Sequence, residues 1–148
     1  LDAPLGEALL EPTLVYTPGI LRVLENLPGV VHSASHITGG GIAQNLQRVI
    51  ASGREIILER GSWDVPPLFA ALATQGGLGL GDVEDTWNLG MGAALIVQSG
   101  AGADVVAALS EAGFQASVVA SVQATDRASE AAKGVSGGVV ELRGRWGA

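Results

Sequence analysis

Three consecutive glycines, Gly39-Gly40-Gly41, stand between a β-branched run and a helical pattern, and that junction limits the folds open to the chain. Ahead of it, Val30-Val31-His32-Ser33-Ala34-Ser35 reads as a strand. Behind it, Ile42, Leu46, Val49 and Ile50 recur at i, i+4, i+7 and i+8, which is one face of a helix. Glycine has no Cβ to block left-handed backbone or the close approach of a ligand. The free N–H groups of a helix's first turn point into such a loop and favour an anion there. Thr38 adds a hydroxyl and His36 a ring nitrogen at the same rim. The junction therefore predicts a strand, an anion-holding turn over Gly39, Gly40 and Gly41, and a helix. The plain alternative is a tight connection that binds nothing, because glycine turns punctuate many sequences. GGG is not the GxGxxG fingerprint, and no GxxxxGK[ST] occurs.

Elements on either side of the junction alternate in type. Residues 1–16 read as a linker with one helical turn at Glu7–Leu10. The domain proper then runs over 17–148. Thr17 followed by Pro18 predicts a hydroxyl-capped helix start, with Ile20, Val23, Leu24 and Leu27 facing inward and Pro28-Gly29 as the stop. Arg54–Glu59 is a second strand, Pro66 and Pro67 open a helix with Leu68, Phe69, Leu72 and Ala73 inward, and Gly76-Gly77 end it. Asp82 is expected to cap a short helix through Asp85. Ala93–Val97 is a third strand, Ala103–Ala112 a helix closed by Gly113, and Gln115–Val122 a fourth strand. The small, polar stretch 123–138 reads as a mobile loop, Val139–Arg143 as an edge strand, and the last residues, Trp146 included, as frayed. Strands separated by helices make an α/β layered domain with a mixed sheet of about four to six strands.

Composition excludes several functions. A formal charge of −7 with only 8 Lys and Arg, all scattered, argues against nucleic acid or an anionic membrane as partner. With no cysteine, disulfides and thiolate chemistry are absent. No apolar run reaches the ~18 residues that span a bilayer. The first residue is Leu1, and no charged-then-apolar leader follows, which predicts one half of something larger.

Single candidates divide by geometry. His32 and His36 lie four residues apart on a strand, roughly 13 Å at ~3.3 Å per residue, too far to share a metal. His32 is expected to be partly buried and hydrogen-bonded, and His36, beside the glycines, is the functional candidate. Asp82, Glu84 and Asp85 suit a helix start for structural reasons. Trp63 with Pro66 and Pro67 is expected to pack over the sheet edge. Asn88, Gly90 and Gly92, just before an apolar strand, suggest backbone close to a ligand or to another element. No spacing supports a Ser-His-Asp triad.

Four stretches in order give the chain a family resemblance. They are Gly6-Glu7-Ala8-Leu9-Leu10-Glu11-Pro12-Thr13 with Tyr16; His36-Ile37-Thr38-Gly39-Gly40-Gly41 with Asn45 and Arg48; Ser62-Trp63 with Val65-Pro66-Pro67 and Phe69; and Thr86-Trp87-Asn88-Leu89-Gly90-Met91-Gly92. With them the chain resembles the C-terminal half of phosphoribosylformylglycinamidine cyclo-ligase, also called aminoimidazole ribonucleotide synthetase. Leu14 stands where that family usually has Arg, and Trp87 where it usually has Phe. The resemblance implies ATP-dependent closure of an imidazole ring in purine synthesis, carried out in the cytoplasm in a cleft between two halves. It also implies that an N-terminal half absent from this sequence binds most of the ATP and Mg²⁺ and forms a homodimer. This chain alone would then hold no cofactor, and no residue is assigned as catalytic base. Its expected partners are that N-terminal half and the ribonucleotide substrate. His36, Thr38 and Gly39–Gly41 are expected to hold the substrate's phosphate or line the cleft, with Asn45 and Asn88 behind them. Relatives sharing the fold leave other reactions open: formylglycinamidine ribonucleotide synthetase, thiamine-monophosphate kinase and a carbamoyl-handling hydrogenase maturation protein. A non-enzymatic anion-binding module is the further alternative.

Overall fold

The computed structural model describes residues 1, 3–128 and 137–147. Its helices are α1 (Leu5–Leu9), α2 (Thr17–Asn26), α3 (Gly41–Gln47), α4 (Pro67–Gln75), α5 (Leu80–Val83) and α6 (Gly102–Glu111). Its strands are β1 (Val31–His36), β2 (Arg54–Glu59), β3 (Ala93–Val97), β4 (Val122–Ala124) and β5 (Val139–Arg143). The α/β layered class is as expected, but the strands divide between two sheets. β1 and β3 pair antiparallel, while β2 lies between antiparallel β4 and parallel β5.

Two apolar clusters explain the layering. Residues alternate across a strand, so β3 sends Leu95 and Val97 to one side and Ala94 and Ile96 to the other. The first side meets Val23 of α2 and Val105 and Ala108 of α6. The second meets Ile37, the α3 residues Ile42 and Leu46, and Ile56 and Leu58 of β2. The β1–β3 sheet is therefore covered on both faces: α2 and α6 lie outside it, and α3 with the second sheet lies inside. Ser33 and Ser35 fasten β1 to the α3 segment by donating to the carbonyls of Val49 (2.9 Å) and Asn45 (3.1 Å).

Several expectations need correction. Helix α2 begins at Thr17 itself, with Tyr16 in the cap position and no side-chain cap bond, so the Thr17 hydroxyl caps nothing. On its inner face Val23 is buried, but Leu24 is exposed. Asp82 lies inside α5, where its carboxylate accepts the Gly79 N–H at 2.8 Å, because the cap falls at Gly79 rather than Asp82. The fourth strand is only Val122–Ala124 rather than Gln115–Val122. A ladder needs a partner edge, and β2 offers its own only opposite those three residues. Of the expected 123–138 loop, Gln123 and Ala124 are strand, and 129–136 lie outside the described residues. His32 is exposed rather than partly buried. Trp146 is not frayed: it packs edge-on against Trp63, with ring centroids 5.1 Å apart. A terminus stays ordered when a large aromatic gains both apolar cover and a partner for its N–H.

Arg127, just after β4, ties the second sheet across its strands by bonding Glu55 of β2 (3.2 Å) and Glu141 of β5 (2.6 Å). Bonds from Arg143 and then Arg127 hold the Glu141 carboxyl at about 2, against an ordinary value of 4.5. A depressed carboxylate contributes stability that is present above its unfolded value and lost as pH falls through its folded one. Acid titration followed by circular dichroism should therefore show stability declining between pH 4.5 and about 2. Glu141→Gln should flatten that part of the curve.

Candidate functional site

The end of β1 carries His36, and Ile37 is locked behind it by an N–H bond to the Gly92 carbonyl at 2.9 Å. The chain then turns through Thr38 and Gly39, both exposed, into Gly40 (φ 102°) and Gly41 (φ 67°). Only glycine enters this left-handed region cheaply. Gly41 has a second reason: a Cβ there would overlap the carbonyl oxygen of Glu84 just past α5. Around Gly39, by contrast, nothing lies within 4 Å of where a Cβ would stand. Among the described residues, the N–H groups of Thr38, Gly39 and Gly40 have no acceptor. The turn thus rests its buried end on protein and leaves its outer amides open.

Asn45 braces this turn from behind. It is 3% exposed, and its Nδ2 donates to the Gly41 carbonyl (2.7 Å) and the Thr38 carbonyl (3.3 Å). Its Oδ1 accepts from Arg48 at 3.3 Å. Asn45→Ala should cost about 1–3 kcal/mol, because the buried Gly41 carbonyl and the part-buried Thr38 carbonyl lose a donor. Urea unfolding checks this.

A cavity of about 420 Å³ opens beside the turn and brings Thr38 and Asn88 together, with Thr86, Trp87, Phe69 and Leu72 among its other walls. Phe69 and Trp87 meet at 5.9 Å with rings tilted by 49°. Asn88 is fixed by its own turn: Oδ1 accepts the Gly90 N–H (3.1 Å), and its carbonyl accepts the Met91 N–H (2.9 Å). Next to it, fully buried Leu89 has φ 47°, an unfavourable backbone for leucine, and its carbonyl accepts the Trp63 Nε1–H at 3.0 Å. The glycines flanking Met91 serve packing: Gly90 lies against Pro66, and Gly92 against the Tyr16 hydroxyl. Tyr16 in turn faces His36, with ring centroids 5.7 Å apart. His36 therefore stands beside Tyr16 and is not among the residues lining this cavity, while Asn45 is inside the fold. His32, at the other end of β1, lines a separate cavity of about 330 Å³ with Arg54.

Thr86, Trp87 and Phe69 were missed as cleft residues, although Trp87 and Asn88 share one motif. Among the described residues, no carboxylate and no cation lines the 420 Å³ cavity. It suits the neutral parts of a ligand and offers none of the carboxylates by which proteins anchor a magnesium ion. Among the described residues, no three His, Asp or Glu side chains are grouped to hold a metal, and no helix is long and apolar enough to cross a membrane.

Residues 1–133 match the family of the AIR synthase related protein, C-terminal domain. The chain belongs to that family. Phosphoribosylformylglycinamidine cyclo-ligase of Brevibacillus brevis is 37% identical over 127 residues, which is 86% of this chain and 36% of that protein. The protein of the same name from Desulfotalea psychrophila is 35% identical over 123 residues (83% and 34%), and that of Bacillus subtilis 34% over 122 (82% and 35%). The chain thus spans about a third of the length of these relatives. Within this AIR synthase related domain, the matched stretch contains the glycine turn, the bracing Asn45 and the whole lining of the cleft.

Proposed function

We propose that this chain is the substrate-binding half of an ATP-dependent cyclo-ligase. The reaction turns formylglycinamidine ribonucleotide into aminoimidazole ribonucleotide, ADP and phosphate, in the cytoplasm. One observation supports the division of labour best: the open amides of Thr38–Gly40 begin at a residue of the cleft lining, and among the described residues that lining has no charged side chain. Backbone amides can hold a ribose phosphate. Phosphoryl transfer to a neutral oxygen needs cations and positioning, so ATP and Mg²⁺ belong to an N-terminal half. In this reading Gly39–Gly41 and Thr38 hold the phosphate, and His36 stands at the rim. Asn88 faces the rest of the substrate, and Asn45 keeps the turn in shape.

Exposed apolar side chains support the N-terminal half as partner. Leu9, Leu10, Leu14, Val15, Leu21 and Leu24 all face outward within the first 24 residues. A run of this kind is more than the scattered apolar residues of an ordinary surface. The homodimer belongs to the same reading of the longer protein. Joining this chain to the N-terminal half of a relative should give ATP-dependent ring closure, and this chain alone should give none. Turnover by the chain alone overturns the division, and a folded but inactive joined protein overturns the reaction.

Leu14, 64% exposed where the family usually has Arg, favours a second reading in which a same-fold relative acts on a different substrate. Assaying the joined protein with formylglycinamide ribonucleotide and thiamine monophosphate separates the two.

A further inference from the structure

Glu84 follows α5 and has no place in the cleft lining, yet more polar groups converge on it than on any cleft residue described above. Arg60 forks onto it, with Nε to Oε2 at 2.8 Å and Nη2 to Oε1 at 2.7 Å. Trp146 Nε1–H donates to the same Oε2 at 2.7 Å. Both charged side chains are less than a fifth exposed, and the Arg60 bonds, with the Trp146 donor, hold the Glu84 carboxyl below its ordinary range. Arg60 also donates to the carbonyls of Leu142 (2.8 Å) and Gly144 (3.1 Å), which fastens the end of β5 and the tail to the same point. A planar fork of this kind fixes direction as well as charge.

The backbone at this point carries both walls of the cleft. On one side, the Glu84 carbonyl and the Asp85 backbone are the surface on which Gly41 rests. On the other, the Thr86 and Trp87 N–H groups bond the Val83 carbonyl at 2.9 and 2.8 Å, and this turn delivers Thr86, Trp87 and Asn88 to the cavity. Residue 84 thus lies between the glycine turn and the aromatic wall. Trp146 lies outside the 1–133 stretch that carries the family match.

We infer that Glu84 is a positioning residue for the cleft, clamped by Arg60 and by a C-terminal strap that ends in Trp146, and that it sets the Thr38–Gly41 turn against the Thr86–Asn88 wall. The strap acts through shape, not by touching the ligand. The inference concerns cleft geometry, and only its effect on affinity rests on the phosphate reading above.

Amide NMR of the full chain tests it, with Glu84→Gln, which keeps the shape but loses the charge, and Trp146→Phe, which keeps the packing but loses the N–H. Glu141→Gln, in the separate ion-pair group on the second sheet, is the control for general loosening. Without ligand, both clamp variants should shift the amides of Gly39–Gly41 and Thr86–Asn88, and the control should not. Titrated with inorganic phosphate, they should bind about fivefold more weakly than the parent chain. Trp146→Phe keeps the test open if Glu84→Gln fails to fold. Shifts confined to the neighbours of residues 60, 63, 84 and 146 overturn the inference, as does unchanged phosphate affinity in folded variants. If the walls shift while the parent chain binds no phosphate, the positioning role stands and the phosphate reading falls.

Discussion

Gly41→Ala is expected to be among the most damaging single-methyl changes in this chain, while Gly39→Ala, two residues away, leaves the fold intact. At Gly41 the new Cβ meets the Glu84 carbonyl on a backbone with φ 67°. A left-handed alanine together with forced displacement of packed backbone costs about 2–5 kcal/mol. For a chain of this size that lowers the melting temperature by roughly 5–15 °C. At Gly39 no atom stands within 4 Å of the new methyl, so the stability cost is under about 0.5 kcal/mol. The methyl would instead occupy the space in which a phosphate would sit. Calorimetry of the two variants, followed by a ribose 5-phosphate titration of Gly39→Ala, separates the structural glycine from the binding one. Equal melting temperatures would show that Gly41 does not rest on the Glu84–Asp85 backbone.

The second large effect is expected at Gly137→Ala. A Cβ there would overlap the Gln47 carbonyl at the end of α3, and the Gly138 N–H next to it donates to the Ile50 carbonyl at 3.0 Å. Two glycines thus let β5 leave α3 and enter its parallel pairing with β2. A side chain at Gly137 must lift the start of that strand, at about 2–3 kcal/mol. Hydrogen exchange should then show protection falling across Ile56–Leu58 of β2 as well as in β5, because the two strands share one ladder. Loss confined to residue 137 and its neighbours would mean that β5 docks independently of its glycines.

How much of this was legible beforehand depended on the reach of each signal. β2 and β3 were read with their observed bounds, since each is an apolar run set off by turn residues, and period-2 or continuous burial is a local property. The strand–glycine–helix junction was legible for the same reason, as was Gly113 behind α6. What failed was long-range. The β-branched residues of 115–121 favour extended backbone, but whether they pair depends on which edge is free. Glu84 was read as a charge favourable at a helix start, yet its real partners, Arg60 and Trp146, lie 24 and 62 residues away. No local rule joins residues so distant, and the clamp became visible only in three dimensions. Gly90 and Gly92 show the intermediate case. Their spacing suggests backbone close to a ligand or to another element, and the neighbours are Pro66 and Tyr16, with the left-handed backbone of Gly90 (φ 93°) a second reason for glycine there.

The candidate site follows the same pattern. His36, Thr38 and the glycines form one contiguous motif, of which Thr38 lines the cavity. Asn88 joins Thr38 in the cavity although 50 residues separate them in the sequence, because the antiparallel pairing of β1 with β3 sets His36 opposite Ala93. Phe69 completes that wall from α4, which no sequence spacing indicated.

The account depends most on the open amides of the glycine turn, and titrating the chain with ribose 5-phosphate while following its amide resonances tests them most directly. Saturable shifts at Gly39–Gly41, with smaller ones at Asn88 and none from ribose alone, are the predicted result. Unmoved glycine amides at saturating ligand, or shifts gathered instead around His32 and Arg54, would contradict it.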